Sequence, residues 1–521
     1  MSQDFRTPTM QQLKGCNKQY ILVLFMIYFI LASFPCVNFA QSQSSPQAEK
    51  TIIEVSDTQF QVDGKGKAVK AFDIRFIHPD GSISKEGYFG TKGEQFNVIV
   101  VNKTAEPITI HWHGLIVPNN QDGVPDVTQI PIKPGKSYPY QYKLVQSGTY
   151  WMHSHVGFQE QQQLAAPFII YESGKTSKNQ EIIMFLEDFT YHDPAKIFEK
   201  LRKTSMPAME NMDMQSSMKI PHNMSMKSDY NDVDYDAFLT NKVTLANPQI
   251  KTVTAGTQVR LRIINGSAST NYEINLGSLT GTLVAVDGEN IKPIHGNKFP
   301  IGIGNRLDII ISIPEKGGAF PILAQVEGSN KQTGLLLATA HAVIPKLNLT
   351  ASQNLGRIPY YELEKQLSSP NPLPTKKADV SLNYTLQGTM NGYKWTLNGE
   401  SWPKVIPKVI KKGQRVEMVF TNKNKMSHPM HFHGHVFQVT EIDGVKLKNG
   451  ALRDTILVQP NSTVKVEFDA NNPGIWLNHC HNLYHFAGGM GTTVEFAGYP
   501  KPSFYLQAIG ETQPAKENNP Q

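Results

Sequence analysis

Cysteine is almost missing from this 521-residue chain, which has only Cys16, Cys36 and Cys480. A fold stapled by disulfides is therefore excluded. Long apolar runs are missing too. The one run of note, Ile21–Phe34, has 14 residues, short of the roughly 20 that a membrane-spanning helix needs. There is no concentrated basic stripe, and a formal charge of +6 is mild for this length, so nucleic acid is excluded as a partner. Extended helical periodicity is scarce, and no twin-arginine pair is present.

The short run does have a context. Arg6, Lys14 and Lys18 precede it, and small and polar residues follow it to Ala40. This order predicts a secretory signal peptide over 1–40, export to the periplasm or the extracellular space, and no stable membrane span after cleavage. An uncleaved anchor is the alternative. After cleavage Cys480 is the sole cysteine. It then serves as a structural thiol, a dimer link or a metal ligand.

What the chain has in quantity is short alternating runs of Val, Ile, Thr and Tyr between Gly, Pro and Asn turns. Examples are Asn97–Val101, Ile108–Trp112, Val259–Ile264, Val416–Phe420 and Val464–Phe468. The pattern predicts an all-β protein of sandwiches or barrels. A repeat sharpens it. GEQFNVIVVN ends at Asn102, GTQVRLRIIN at Asn265 and GQRVEMVFTN at Asn422. Three copies of one β-domain follow: 45–174, 175–345 and 378–497. A linker over 346–377 joins the last two, and 498–521 forms a C-terminal tail.

Ten of the sixteen histidines fall in four motifs: His111-Trp-His113, His153-Ser-His155, His428-Pro-Met-His431-Phe-His433 and His479-Cys480-His481-Asn-Leu-Tyr-His485. On a strand, residues i and i+2 face the same way, so a His-x-His pair can serve one metal or two adjacent ones. The repeat puts the pairs in register. His111 and His113 follow Asn102 at the distances at which His431 and His433 follow Asn422. His153 and His155 follow Gly148 as His479 and His481 follow Gly474. The middle copy has Ile274 and Leu276 at the first pair of positions, and reads as a spacer. Eight histidines from the outer domains are thus expected to meet at one cluster.

The third domain adds more. Cys480 stands where the first domain has Ser154, and alternation turns its thiolate away from the two flanking imidazoles. His428, His485 and Met490 have no first-domain counterparts as ligands. Two histidines, a thiolate and a weak axial methionine are the ligand set of a blue-copper electron-transfer site. Structural zinc is the competing reading of a Cys/His set, but it accounts for neither the second cluster nor the register.

HWHG, WMHSH, HPMHFHGH and HCHNLYHFAGGM, in this order, resemble the motifs of the multicopper oxidases, which include laccases, ascorbate oxidase, ferroxidases and bacterial copper-resistance oxidases. The resemblance covers about residues 50–497. It implies three cupredoxin-like Greek-key domains and four coppers per chain. His428, Cys480, His485 and Met490 would hold the type 1 copper, and His111 and His431 the type 2. His113, His153 and His481 would hold one type 3 copper, and His155, His433 and His479 the other. One-electron oxidation of a substrate at type 1 would feed reduction of dioxygen to water. Asp122 matches a carboxylate beside the cluster and is read as a proton relay; a turn aspartate is the plainer alternative. Phe486 stands where several bacterial relatives have an acidic residue.

Seven of seventeen methionines lie between Met206 and Met226: Met206, Met209, Met212, Met214, Met218, Met224 and Met226, interleaved with Glu210, Asp213 and His222. Thioethers are soft ligands that suit Cu(I). The segment is expected to be a cuprous-ion loop in the domain-2 insertion 206–226, and with DVDYDAFLTN after it resembles insertions of the copper-resistance oxidases. Expected substrates are Cu(I) and small phenols, with a role in copper tolerance. A ferroxidase, or a copper-sequestering protein with incidental turnover, are the alternatives. A monomer is expected.

Overall fold

The computed structural model describes residues 50–174, 179–203 and 229–511. The leader and the methionine segment lie outside the described residues. No helix among them is long and apolar enough to cross a membrane.

The described residues form six sheets, two for each copy of the repeat. The repeated segments become the strands Gln95–Lys103, Gln258–Asn265 and Arg415–Asn422. Each occupies the same place. It lies parallel to the strand that opens its domain, namely Thr51–Phe60, Gln180–Phe189 or Val380–Thr389. On its other side it pairs antiparallel with a later strand. Alternation sends Phe96, Val98 and Val100, then Val259, Leu261 and Ile263, then Val416, Met418 and Phe420 inward, none more than 1% exposed. Burial of these side chains is what ties each pair of sheets together, at roughly 1.5–3 kcal/mol for each large apolar residue.

The asparagine that ends each copy has a physical reason. Asn102 Nδ2 donates to the carbonyls of Glu106 and Ile132, both at 2.8 Å, and its Oδ1 accepts from Thr104 N at 2.8 Å. Asn422 does the same with Met426 and Val458, at 2.8 and 3.0 Å, and Asn424 N, at 2.8 Å. Asn265 serves Thr270 O at 2.9 Å and Ser267 N at 3.2 Å. A buried strand-to-loop corner leaves backbone groups without partners, and a short amide closes them.

The histidine strands occupy the second sheet of each outer domain. His111–His113 pairs with Gly148–His153 so that His111 faces His153. His428–Phe432 pairs with Ile475–Cys480 so that His431 faces His479. In the middle domain Ile274 and Leu276 are fully buried, and core packing replaces ligation there. The stretch 346–377 has structure of its own. It carries the helix Tyr360–Glu364, whose Tyr360, Tyr361, Leu363 and Glu364 are buried. The tail also folds back. The helix Ser503–Ile509 packs Tyr505 and Ile509 against Val124, Val127, Ile475 and Leu477.

Candidate metal centres

The centre in the third domain is built from one strand end, one strand start and one short helix. Cys480 ends the strand Ile475–Cys480, His428 starts His428–Phe432, and His485 lies on the helix Leu483–Ala487. Asn482 caps that helix, its side chain accepting from Tyr484 N and His485 N, which fixes the imidazole's direction. Cys480 Sγ stands 3.7 Å from the Nδ1 atoms of both His428 and His485, which are 3.1 Å apart. The centre of that triangle is roughly 2 Å from each corner, the usual metal–imidazole bond length. All three side chains are fully buried. Met490 is buried as well, and its backbone brackets the trio: its carbonyl accepts from Cys480 N and its N–H donates to His485 O, both at 3.0 Å.

Protonation states favour a cation here. Burial pushes the Cys480 thiol well above its ordinary range, so it requires a positive charge to become a thiolate. Burial, together with His485, pushes His428 down. His485 Nε2 donates to Asp232 Oδ2 at 3.1 Å, leaving Nδ1 as a lone pair. Tyr393 Oη donates to the same oxygen at 2.5 Å, and Trp395 stacks on the His485 ring at 3.9 Å.

The other eight histidines come together between the first and third domains. His481 Nε2 is 3.1 Å from His113 Nδ1 and 3.4 Å from His153 Nε2. His433 Nε2 is 3.1 Å from His479 Nε2, and His155 completes that set within 4.8 Å. The sets interleave: His111 shares such a neighbourhood with His113 and His153, and another with His431 and His433. The Nε2 atoms of His111, His431 and His155 have no hydrogen-bond partner.

The outer nitrogens explain why. His111 Nδ1 donates to Asp122 O at 2.9 Å, His431 Nδ1 to Asp454 O at 2.9 Å, and His479 Nδ1 to Cys480 O at 2.9 Å. His433 Nδ1 donates to Asp122 Oδ2 at 2.9 Å, His113 Nε2 to Asp454 Oδ1 at 3.1 Å, and His153 Nδ1 to Glu160 Oε2 at 2.7 Å. Each of these partners is an acceptor, so the proton sits on the outer side and the inner nitrogen is a bare lone pair. Lone pairs facing each other at 3.1 Å in a buried space call for cations between them. Burial holds His113, His153, His155, His431, His433, His479 and His481 below their ordinary pKa, as neutral ligands should be. The donor set therefore fits borderline first-row metals, and its one thiolate with two imidazoles fits copper.

Each of the ten histidines in the four motifs joins one of the two centres, Cys480 links them, and His222 lies outside the described residues. Asp122 is fully buried and closes a 3-10 turn, Asn119–Gln121. Gly123 behind it has φ +80°, and a Cβ there would stand 1.8 Å from Ile110 O, so the carboxylate can approach the cluster only because that residue is glycine. Four groups escaped the sequence reading: Asp232, Asp454, Glu160 and Asn424, whose amide is 2.9 Å from His428 Nε2. Two of them had a local signal: Glu160, five residues after His155, and Asp232, the first residue of DVDYDAFLTN. Phe486 packs on His479 and His155, with ring centres 4.6 and 5.6 Å away. His155 is partly exposed and, with Phe158, Glu160, Trp402 and Phe486, lines a cavity of about 300 Å³ that reaches the cluster.

His435 follows the cluster strand but is not part of it. It stacks on Phe432 and Phe496 beside Phe468 and Trp476. Burial lowers its pKa to about 4. A histidine depressed in the fold stabilises it fully above its unfolded value near 6.5 and loses that contribution as pH falls toward 4, about 3 kcal/mol in all. In the copper-loaded chain, urea unfolding followed from pH 7 to pH 4 should lose that much more stability than a His435→Phe variant loses. Parallel curves would exclude this account.

Three family profiles described as "Multicopper oxidase" match residues 75–175, 180–344 and 375–497. The multicopper oxidase MmcO of Mycobacterium tuberculosis is 32% identical over 78% of this chain and 80% of its own length. The copper resistance protein A homolog of Pseudomonas syringae pv. tomato is 25% identical over 84% of this chain and 90% of its own. The crystal structure of Fet3p, titled a multicopper oxidase that functions in iron import, shares the fold with a TM-score of 0.72 at 18% identity, covering 89% of this chain and 95% of that one.

Proposed function

The chain belongs to the multicopper oxidases, cupredoxin-domain oxidoreductases with copper as cofactor and dioxygen as acceptor, and from that premise we propose which residues hold the metal and which substrate supplies the electrons. His428, Cys480, His485 and Met490 hold the type 1 copper. His111 and His431 hold the type 2 copper, His113, His153 and His481 one type 3 copper, and His155, His433 and His479 the other. Bound copper would supply single-electron acceptance at the first site and four-electron reduction of dioxygen to two waters at the other three.

The observation that carries this reading is Cys480. Its sulfur faces His428 and His485, while its neighbours His479 and His481 have their ring nitrogens in the other cluster. An electron entering at Sγ thus reaches both imidazoles through a few covalent bonds. Burial keeps water from the sulfur. The carboxylates of Asp122, Glu160 and Asp454 orient the cluster imidazoles, and Asp122 also delivers protons to reduced oxygen.

For the substrate we favour Cu(I), with small phenols accepted. Two features support a cationic donor. Asp232, which precedes the middle-domain strand Ala237–Thr240, touches His485. Burial and the adjacent Asp232 push the half-buried Asp229 carboxyl above its ordinary value, a like-charge crowding that a cation relieves. The methionines of 206–226 immediately precede these acids in the chain, and soft thioethers select cuprous over ferrous ions. The leader 1–40 supports export to the periplasm, and the similarity to copper resistance protein A supports a part in copper tolerance.

Oxygen uptake with Cu(I), Fe(II) and a phenol tests the substrate reading. Deleting 206–226 should cut Cu(I) turnover about tenfold or more, an effect of about 1.4 kcal/mol on the barrier, while phenol turnover changes less than twofold. Equal losses on both would sink the cuprous loop. Faster turnover of Fe(II) than of Cu(I) in the parent chain would favour a ferroxidase.

A further inference from the structure

Among the described residues the middle domain contributes no histidine to either centre, yet one of its turns lies against the cluster. Gly304, at φ +77°, sits so close that a Cβ would stand 3.3 Å from His113 Cε1 and 3.4 Å from His481 Cγ. Two residues on, Arg306 is fully buried. Its Nε donates to Thr149 O of the first domain at 3.1 Å. Nη1 donates to Gly304 O at 2.9 Å and to Asp454 Oδ1 of the third domain at 2.8 Å. Nη2 donates to Asp287 O at 3.0 Å and, in a short contact, to Asp454 Oδ2. One guanidinium therefore ties all three domains.

Asp454 is the carboxylate that meets the histidines from this side. Its Oδ1 accepts from His113 Nε2 at 3.1 Å, and its backbone oxygen accepts from His431 Nδ1 at 2.9 Å. Thr455 Oγ1 also donates to Oδ1 at 2.8 Å. Asn305, between Gly304 and Arg306, donates to Thr455 O at 2.9 Å. The two-pronged fork of Arg306 fixes the plane of the Asp454 carboxylate. That plane fixes which nitrogen of His113 carries the proton. His113 then presents Nδ1 to His481 Nε2, whereas a freed ring could turn and present the other nitrogen.

We propose that the middle domain sets the ligand geometry of the trinuclear centre, with Arg306 as a positioning residue that acts through Asp454 on His113 and His431. This rests on the trinuclear reading above. The competing account is that the Arg306–Asp454 pair only joins domains, since breaking a buried ion pair is destabilising whatever lies beside it.

The two accounts separate in the copper-loaded full chain. Arg306→Gln strands a buried carboxylate and should lower both the melting temperature and copper retention. The double variant R306Q/D454N removes both charges and should recover the melting temperature. If the pair positions ligands, the double variant still loses cluster copper on dialysis at least tenfold faster than the parent, within the 10–100-fold range for outer-shell partners of metal ligands. Its type 2 electron paramagnetic resonance signal stays altered, while the blue type 1 absorption is intact. Recovery of copper retention and of the parent signal in the double variant would overturn the proposal. Should the double variant not fold, Arg306→Lys, which keeps the charge but loses the fork, should show the same altered signal, and an unaltered one would overturn it. Missing blue absorption in the parent chain would instead strike the functional reading itself.

Discussion

Cys480→Ser should give a chain that folds, keeps its cluster copper, is colourless and consumes almost no oxygen. Folding survives because the replacement swaps one small buried atom for another at the end of a paired strand. The cluster survives because none of its eight histidines uses the sulfur: the backbone oxygen of residue 480 still accepts from His479 Nδ1. Colour is lost because the intense absorption of a blue site needs a thiolate, and a serine hydroxyl in the same burial stays protonated. Turnover falls by at least about 10³-fold, some 4 kcal/mol on the barrier, because the route from His428 and His485 into His479 and His481 starts at Sγ. Visible spectra, copper counts and oxygen uptake on one preparation check all three. Oxygen uptake persisting near the parent rate would refute the electron route. Cells expressing the variant that remain protected from copper would show that sequestration, not oxidation, is the protein's part in tolerance.

Most of the proposed ligands were legible in the sequence because they lie on or beside strands, whose period is two, whereas His485 lies on the helix Leu483–Ala487 and follows no such period. The motif HCH can mean one arrangement only: two imidazoles on one face and the sulfur on the other. Asn102 and Asn422 set the register, and pairing of His111 with His153 and of His431 with His479 follows from it. What was not legible acts across domains. Arg306 is 148 positions from Asp454, and Asp232 is 253 from His485. Neither pair has a spacing that a chain reading can detect, because their proximity arises only when three domains pack. The same holds for the stretch 346–377. Its Pro, Ser and Lys content reads as linker, but Glu364 within it is buried against Arg453, with Oε2 2.9 Å from Nε. Burial of a charged pair in a polar stretch is decided by the partner, not by local composition.

The fate of Asp122 is the sharpest remaining test, since its sequence context fits a plain turn equally well. The structure places the side chain at 0% exposure, with Oδ2 2.9 Å from His433 Nδ1 and Oδ1 3.2 Å from His111 Nδ1. A turn aspartate in solvent has no such partners. Each dioxygen reduced to water takes up four protons, and a buried cluster must receive them through the protein. Asp122 touches imidazoles proposed to hold two different coppers, so a proton on its carboxylate would lie one imidazole away from each of those sites. Asp122→Asn keeps the volume and the turn but cannot carry a proton. Turnover should fall about 10²–10³-fold, within the range for loss of a general acid, and the loss should grow as pH rises and protons become scarcer. Anaerobic bleaching of the blue site by substrate should proceed at the parent rate, because Asp122 meets His433 and His111 and neither belongs to the Cys480 centre, whereas recovery of colour on admitting oxygen should be slow. A type 2 resonance signal equal to the parent's, seen with slow recovery, assigns the defect to protons. Copper loss with a changed signal would make Asp122 a positioning residue instead. Turnover within about twofold of the parent would remove it from the reaction altogether.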